Sequence, residues 1–103
     1  MTAAARVAEY LKSADLQQVN SGTVAKHLCM SDTTMRRRLR LEGISLSSLL
    51  EQERKRRTLE LMASPRISAP RLADACGYAS GHNFYRAFKS WFGVGWLEYR
   101  RQI

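Results

Sequence analysis

Apolar residues recur along this chain at intervals of three and four. Nowhere do they alternate with polar ones for long enough to suggest a strand, so the pattern predicts an all-α chain. Val7, Tyr10, Leu11 and Ala14 share one face of a first helix over residues 3–14. Asn20-Ser21-Gly22 breaks it, and Ser21 is expected to cap a second helix through Leu28, with Val24, Ala25 and Leu28 turned inward. Cys29-Met30-Ser31 forms a turn. Ser31 is placed to cap a third helix, with Met30 and Met35 as a hydrophobic staple, and Gly43 ends it. A longer helix is expected over residues 46–63, apolar at Leu46, Leu49, Leu50, Leu61 and Met62 and charged through its middle, stopped by Ser64-Pro65. Ser68 caps the next helix, with Pro70 in its first turn, Ile67 and Leu72 as a staple, and Gly77 at its close. Ser80 opens residues 81–92, whose stripe is Phe84, Ala87, Phe88, Trp91 and Phe92, and Gly93 and Gly95 precede a last helix over residues 96–102.

The two halves repeat one another. Residues 25–50 set against 73–100 pair Ala25 with Ala73, Met35 with Phe84, Leu39 with Phe88, Arg40 with Lys89 and Gly43 with Gly93, at an offset of 48 to 50 residues. Each copy is a short helix, a tight turn and a second helix with a basic solvent face. The expected division is a first helix-turn-helix subdomain at 1–44, a linker helix at 45–64 and a second helix-turn-helix subdomain at 65–103. A half of about 50 residues buries too small a fraction of its surface to stand well alone, so the halves should depend on the connector.

Seventeen Lys and Arg against nine Asp and Glu leave a net charge of +8, which points to a polyanionic partner. No apolar run could span a bilayer and the first residues lack a signal-peptide pattern, so a cytoplasmic location and no membrane partner are expected. Two cysteines far apart make neither a disulfide framework nor a metal cluster, and no cofactor is expected. No phosphate loop, carboxylate pair or nucleophile–base arrangement is visible, so the chain reads as no enzyme.

If Met35 and Leu39 point into the core, Thr33, Arg36, Arg37 and Arg40 share the opposite face of the third helix. Opposite Phe84 and Phe88, the sixth helix carries His82, Tyr85, Arg86 and Lys89. An α-helix fits the major groove of duplex DNA, and an Arg near its start can fork onto guanine O6 and N7, while basic groups further along suit phosphates. A connector of 18 residues would rise roughly 27 Å, against about 34 Å between successive major-groove faces, so two readers on one side of a somewhat bent duplex are feasible. For Arg54 to Arg57 a solvated or internally paired reading is preferred, with Glu51, Glu53 and Glu60 as partners; Arg54 could also anchor one unit to the connector. An all-helical adaptor binding an acidic protein is the competing class, but it has no need of a duplicated capped helix-turn-helix.

The stretch ADACGYASGHNFYRAFKSWFGV, with EYR after it, resembles the second helix-turn-helix of AraC/XylS-type transcription activators. The upstream VAKHLCMSDTTMRRRLRLEGISLSSLLEQER resembles the first, and together the likeness covers about residues 7–100. It implies seven helices in two helix-turn-helix units bridged by a long helix, double-stranded DNA as partner at one bipartite site, and activation through RNA polymerase. It also implies a separate N-terminal effector or dimerisation domain, which these residues do not contain. The family's base-reading places fall on Thr33, Arg36 and Arg37, and on Gly81, His82 and Arg86. Since Gly81 has no side chain, Asn83 is added as a reader beside His82. Phosphate contacts are assigned to Ser31, Arg40, Ser80, Tyr85 and Lys89. Three positions depart from the pattern. Cys29 replaces a turn glycine, so a left-handed backbone there would be strained. Gly81 removes a reading side chain. Gly95-Trp96 replaces Thr-Pro, and Trp96 either packs on the second unit or lies exposed.

Overall fold

In the computed structural model, which describes residues 1–64 and 66–101, hydroxyl and amide side chains set the start of each of the first six helices. Thr2, Asn20, Ser31, Ser45, Ser68 and Ser80 each accept a hydrogen bond from a backbone N–H in the first turn. The helices are α1 (Ala3–Ser13), α2 (Ser21–His27), α3 (Asp32–Leu41), α4 (Leu46–Leu61), α5 (Ala69–Ala75), α6 (Gly81–Phe92) and α7 (Trp96–Arg101), with no strand among the described residues. The all-α, seven-helix expectation therefore holds. Pro65 as a helix stop and Gln102 as the end of the last helix lie outside the described residues.

The helices α1 and α2 each end one residue before the expected bound, at Ser13 and His27, and two further boundaries differ for local reasons. Asn20, not Ser21, caps α2: its side chain accepts from the Thr23 N–H at 2.9 Å, while Thr23 Oγ1 accepts from the Asn20 N–H at 3.0 Å. This reciprocal box is open only to the residue three before Thr23. The connector α4 stops at Leu61, two residues early, because the Ala63 and Ser64 N–H groups bond three residues back, to Glu60 and Leu61.

Three helices end in the same two-bond motif with a left-handed residue just past the cap. After α3, the Gly43 N–H donates to Arg40 O and the Ile44 N–H to Leu39 O; after α5, Gly77 donates to Asp74 O and Tyr78 to Ala73 O. After α2, Cys29 donates to Lys26 O and Met30 to Ala25 O, with Cys29 at φ 59°. The two helix-turn-helix turns are thus the same structure, and Cys29 occupies the place that Gly77 fills in the second. A side chain at positive φ costs about 1–2 kcal/mol, and glycine returns part of that as unfolded-state entropy. Cys29→Gly is therefore expected to stabilise the protein by about 0.5–1 kcal/mol and raise the melting temperature by about 2–8 °C. A calorimetric scan checks this, and a lower melting temperature would contradict the strain account.

Burial follows the repeat. Val7, Leu11, Leu16, Val24, Leu28, Met35, Leu39 and Leu49 form the larger side chains of a first core, over which α1 packs on α2, α3 and α4. Met62, Leu72, Cys76, Phe84, Phe88 and Trp96 form a second core. The open alternative for Trp96 resolves as packing: it is buried, its ring edge-on to Phe84 and Phe88 at 6.2 and 5.6 Å. The two ends of α4 serve different cores, Leu49 the first and Leu61 the second.

The middle of α4 is where the halves meet, and Glu53 and Thr58 are buried there. Arg57 donates to Leu11 O at 2.9 Å, Ala14 O at 3.3 Å and Ala75 O at 3.0 Å, so one guanidinium closes the C-terminal ends of α1 and α5 together. Glu53 accepts from both Arg56 and Arg57. Arg54 does anchor a unit, lying 4.6 Å from the Tyr78 ring centroid, but the stronger tie is Arg57, which the charge pattern had left as merely paired. Gln17 donates to Asp74 O and Tyr78 O, and Trp91 Nε1 donates to Glu51, adding bonds between the first half or the connector and the second half. The whole spans 44 × 23 × 23 Å.

Candidate nucleic-acid interface

Each helix-turn-helix pair buries one face of its second helix and leaves the other in solvent. On α3, Met35 and Leu39 are buried, while Thr33, Arg36, Arg37 and Arg40 are all exposed. On α6, Phe84 and Phe88 are buried, and His82, Asn83, Tyr85, Arg86 and Lys89 are exposed. Every expected base- or phosphate-contacting residue, Ser31 and Ser80 included, lies on the surface. The equivalence of the two helices is positional. Met35 and Phe84 are each fourth in their helix, Leu39 and Phe88 each eighth, so Arg40 and Lys89 follow on the same outward turn.

The acidic side chains nearest α3 are used internally. Glu42 accepts the Ala3 and Ala4 N–H groups, both at 2.9 Å, closing the start of α1. Asp32 accepts from Arg36 Nε at 3.0 Å. Among the described residues none of Arg37, Arg40, Arg86 and Lys89 takes part in an ion pair, so four cations stand uncompensated on the two exposed faces. Two of the expected phosphate contacts also serve as helix caps. The Ser31 hydroxyl caps α3 and also bonds Thr34 Oγ1 at 2.8 Å, and the Ser80 hydroxyl caps α6. Arg36 is engaged by Asp32 and by Ser21 Oγ, the latter at 3.0 Å, rather than standing free like Arg37. The pairing of Asp32 with Arg36 is readable from their four-residue spacing; the involvement of Ser21 is not, because it depends on how α2 docks.

The cysteines and histidines keep apart. Cys76 is buried against Thr58 Oγ1 at 3.1 Å, and burial pushes its thiol pKa up, so it stays protonated. His27 stacks on Tyr10 at 4.2 Å. Among the described residues no three His, Cys, Asp or Glu side chains converge as metal ligands, and no helix is long and apolar enough to cross a membrane.

A family model described as a helix-turn-helix domain matches residues 24–102. Among curated proteins, the chain is 34% identical over 98 residues to the HTH-type transcriptional regulator VqsM of Pseudomonas aeruginosa, a match covering 95% of this chain and 30% of that protein. It is 34% identical over 79 residues to the HTH-type transcriptional regulator GadX of Escherichia coli K12, covering 77% of this chain and 29% of that one. The chain thus spans under a third of the length of these relatives. Among solved structures, a DNA-binding transcriptional dual regulator from Escherichia coli K-12 superposes with a TM-score of 0.92 at 28% identity, over 100% of this chain and 99% of that one. The C-terminal domain of AraT, a response regulator from Geobacillus stearothermophilus, gives 0.85 at 27% identity, over 100% and 87%.

Proposed function

The chain belongs to the AraC-type helix-turn-helix family, and from that membership we propose that it is the sequence-specific DNA-binding domain of a bacterial transcription regulator, placing α3 and α6 in successive major-groove segments of one bipartite duplex site. The observation that carries this reading is the duplicated geometry: two equivalent helices, each buried on one face and basic on the other, held on one body. In this reading residues 1–44 and 65–103 are the two reading units and residues 45–64 the connector. Thr33, Arg36 and Arg37, with His82, Asn83 and Arg86, face base edges. Ser31, Arg40, Ser80, Tyr85 and Lys89 hold phosphates. Activation of transcription by contact with RNA polymerase belongs to the same reading, and a reconstituted transcription assay on the selected site tests it.

Selection from a random duplex pool at about 150 mM salt, where phosphate-only binding is weakened, is the direct test. Two short motifs centred roughly 10 bp apart support the reading; binding at low salt with no motif enriched rejects it. The same assay separates base from phosphate contacts. Arg86→Ala should cost about 1–3 kcal/mol on the selected site and relax preference at one position. Lys89→Ala should weaken selected and random duplexes alike and lower the salt slope by about one. Equal losses for Arg86→Ala on both kinds of DNA would assign it to the backbone.

A further inference from the structure

Resting on that reading, we propose that Asp32 and Ser21 are positioning residues that aim Arg36 at a guanine, and so set base preference without touching DNA. Three bonds close a ring between α2 and α3. Arg36 Nε donates to Asp32 Oδ1 at 3.0 Å, Arg36 Nη2 donates to Ser21 Oγ at 3.0 Å, and Ser21 Oγ donates to Asp32 Oδ2 at 3.2 Å. Ser21 Oγ thereby accepts from the arginine and donates its own O–H to the carboxylate, so each member fixes the other two.

The ring uses one particular edge of the guanidinium. The Nε–H and the neighbouring Nη2–H point along the side of the arginine, and both are taken up by the protein. The other Nη2 proton and the Nη1 proton beside it form the outward edge, the pair geometry that matches O6 and N7 of guanine. An isolated surface pair four residues apart on a helix would contribute little and leave the arginine free to swing to a phosphate. The third partner changes that, because Ser21 belongs to the preceding helix and ties the side chain to the body of the unit. Arg36 remains 60% exposed while held in this way, so its orientation is settled and its outer edge is open to a ligand.

Asp32 also works against indiscriminate binding. A carboxylate on the groove-facing helix repels phosphates, so its presence lowers affinity for every duplex alike while the arginine it holds gains selectivity. Ser21 is the first residue of α2 and Asn20, not Ser21, is its cap, so Ser21→Ala leaves that cap in place. Arg37, one residue on, has no such support among the described residues and is expected to discriminate less sharply.

The test runs the random-pool selection in parallel on the wild type, Asp32→Ala, Ser21→Ala and Arg36→Ala, with thermal unfolding of each. The expected result is a guanine preference at one position of the α3 half-site. It should be lost in Arg36→Ala and reduced about 3- to 10-fold in Asp32→Ala, the loss expected when one side chain must be ordered on binding. Ser21→Ala should show a smaller reduction of the same kind, and Asp32→Asn, which keeps an acceptor for Nε, should recover part of it. Asp32→Ala should bind random duplex more tightly than wild type, an effect no folding defect would produce. An enriched bipartite motif whose guanine preference survives Asp32→Ala overturns the positioning role alone. A wild type that enriches no motif overturns the DNA reading and this inference together.

Discussion

Gly77→Ala is expected to destabilise the protein by about 2–4 kcal/mol, the sum of a backbone cost and a steric one. Gly77 sits at φ 85°, where an L side chain costs about 1–2 kcal/mol. A Cβ added there would meet Leu16 Cβ at 2.6 Å, Leu16 O at 2.8 Å and Leu16 C at 2.9 Å. Two of those three atoms are backbone and the third is rigidly attached to it, so no rotamer change relieves the contact. Either the turn after α5 or the loop after α1 must move, and overpacking of this kind adds about 1–3 kcal/mol. The loss of unfolded-state freedom on replacing glycine returns about 0.5–1 kcal/mol. Gly43 provides the control: its φ of 77° is similar, but nothing lies within 4 Å of an added Cβ. Gly43→Ala should therefore lose only the backbone part, and the difference between the two variants measures the Leu16 contact. Urea unfolding with an unchanged slope checks both. Equal midpoints for the two would mean that Leu16 yields without cost.

The reason this contact escapes a reading of the sequence is its distance along the chain. Gly77 is legible as a helix terminator, since glycine past an apolar helical stripe is a local signal. That no Cβ fits at this position beneath Leu16 depends on how α1 and α5 are brought together by α4. The same division runs through the whole fold. The serine caps at 31, 68 and 80 and the apolar faces of α3 and α6 were legible because they involve neighbours within one or two turns. The cap of α2 was displaced by one residue because Asn20 and Ser21 are equally good cap types, and only the reciprocal bond with Thr23 separates them. Trp96 could not be placed beforehand, since its burial rests on the rings of Phe84 and Phe88 closing over it. At the candidate interface the outward residues were legible as a face, whereas the ring that holds Arg36 needed the docking of α2 on α3.

Arg57 is the largest case of a residue whose role depends on distant partners, and Arg57→Met is expected to cost about 2–4 kcal/mol while loosening the two units from one another. Methionine keeps much of the stem length, so the change isolates the charged head. The head bonds carbonyls from two helix ends, Leu11 and Ala14 on one side and Ala75 on the other, and pairs with a Glu53 side chain only 5% exposed. Removing it takes a donor from the part-buried carbonyls of Leu11, Ala14 and Ala75, of which Leu11 O keeps the Ala14 N–H, and takes from Glu53 one of two cationic partners. Arg56 remains on that carboxylate at 2.8 Å, so the loss falls below that of a fully orphaned buried charge. The consequence for DNA follows from effective concentration. Two readers locked at one separation bind a matching bipartite site as a unit, because docking the first presents the second. On duplexes carrying both motifs with the separation changed by one or two base pairs, the wild type should bind one spacing strongly and the others much more weakly. Arg57→Met should lose about 10-fold at the best spacing and little at the others, flattening the profile. Binding to a single half-site should barely change, since Arg57 lies in neither exposed face. A loss of equal size at every spacing and on half-sites would instead mean that the guanidinium stabilises the fold without setting the distance between its readers.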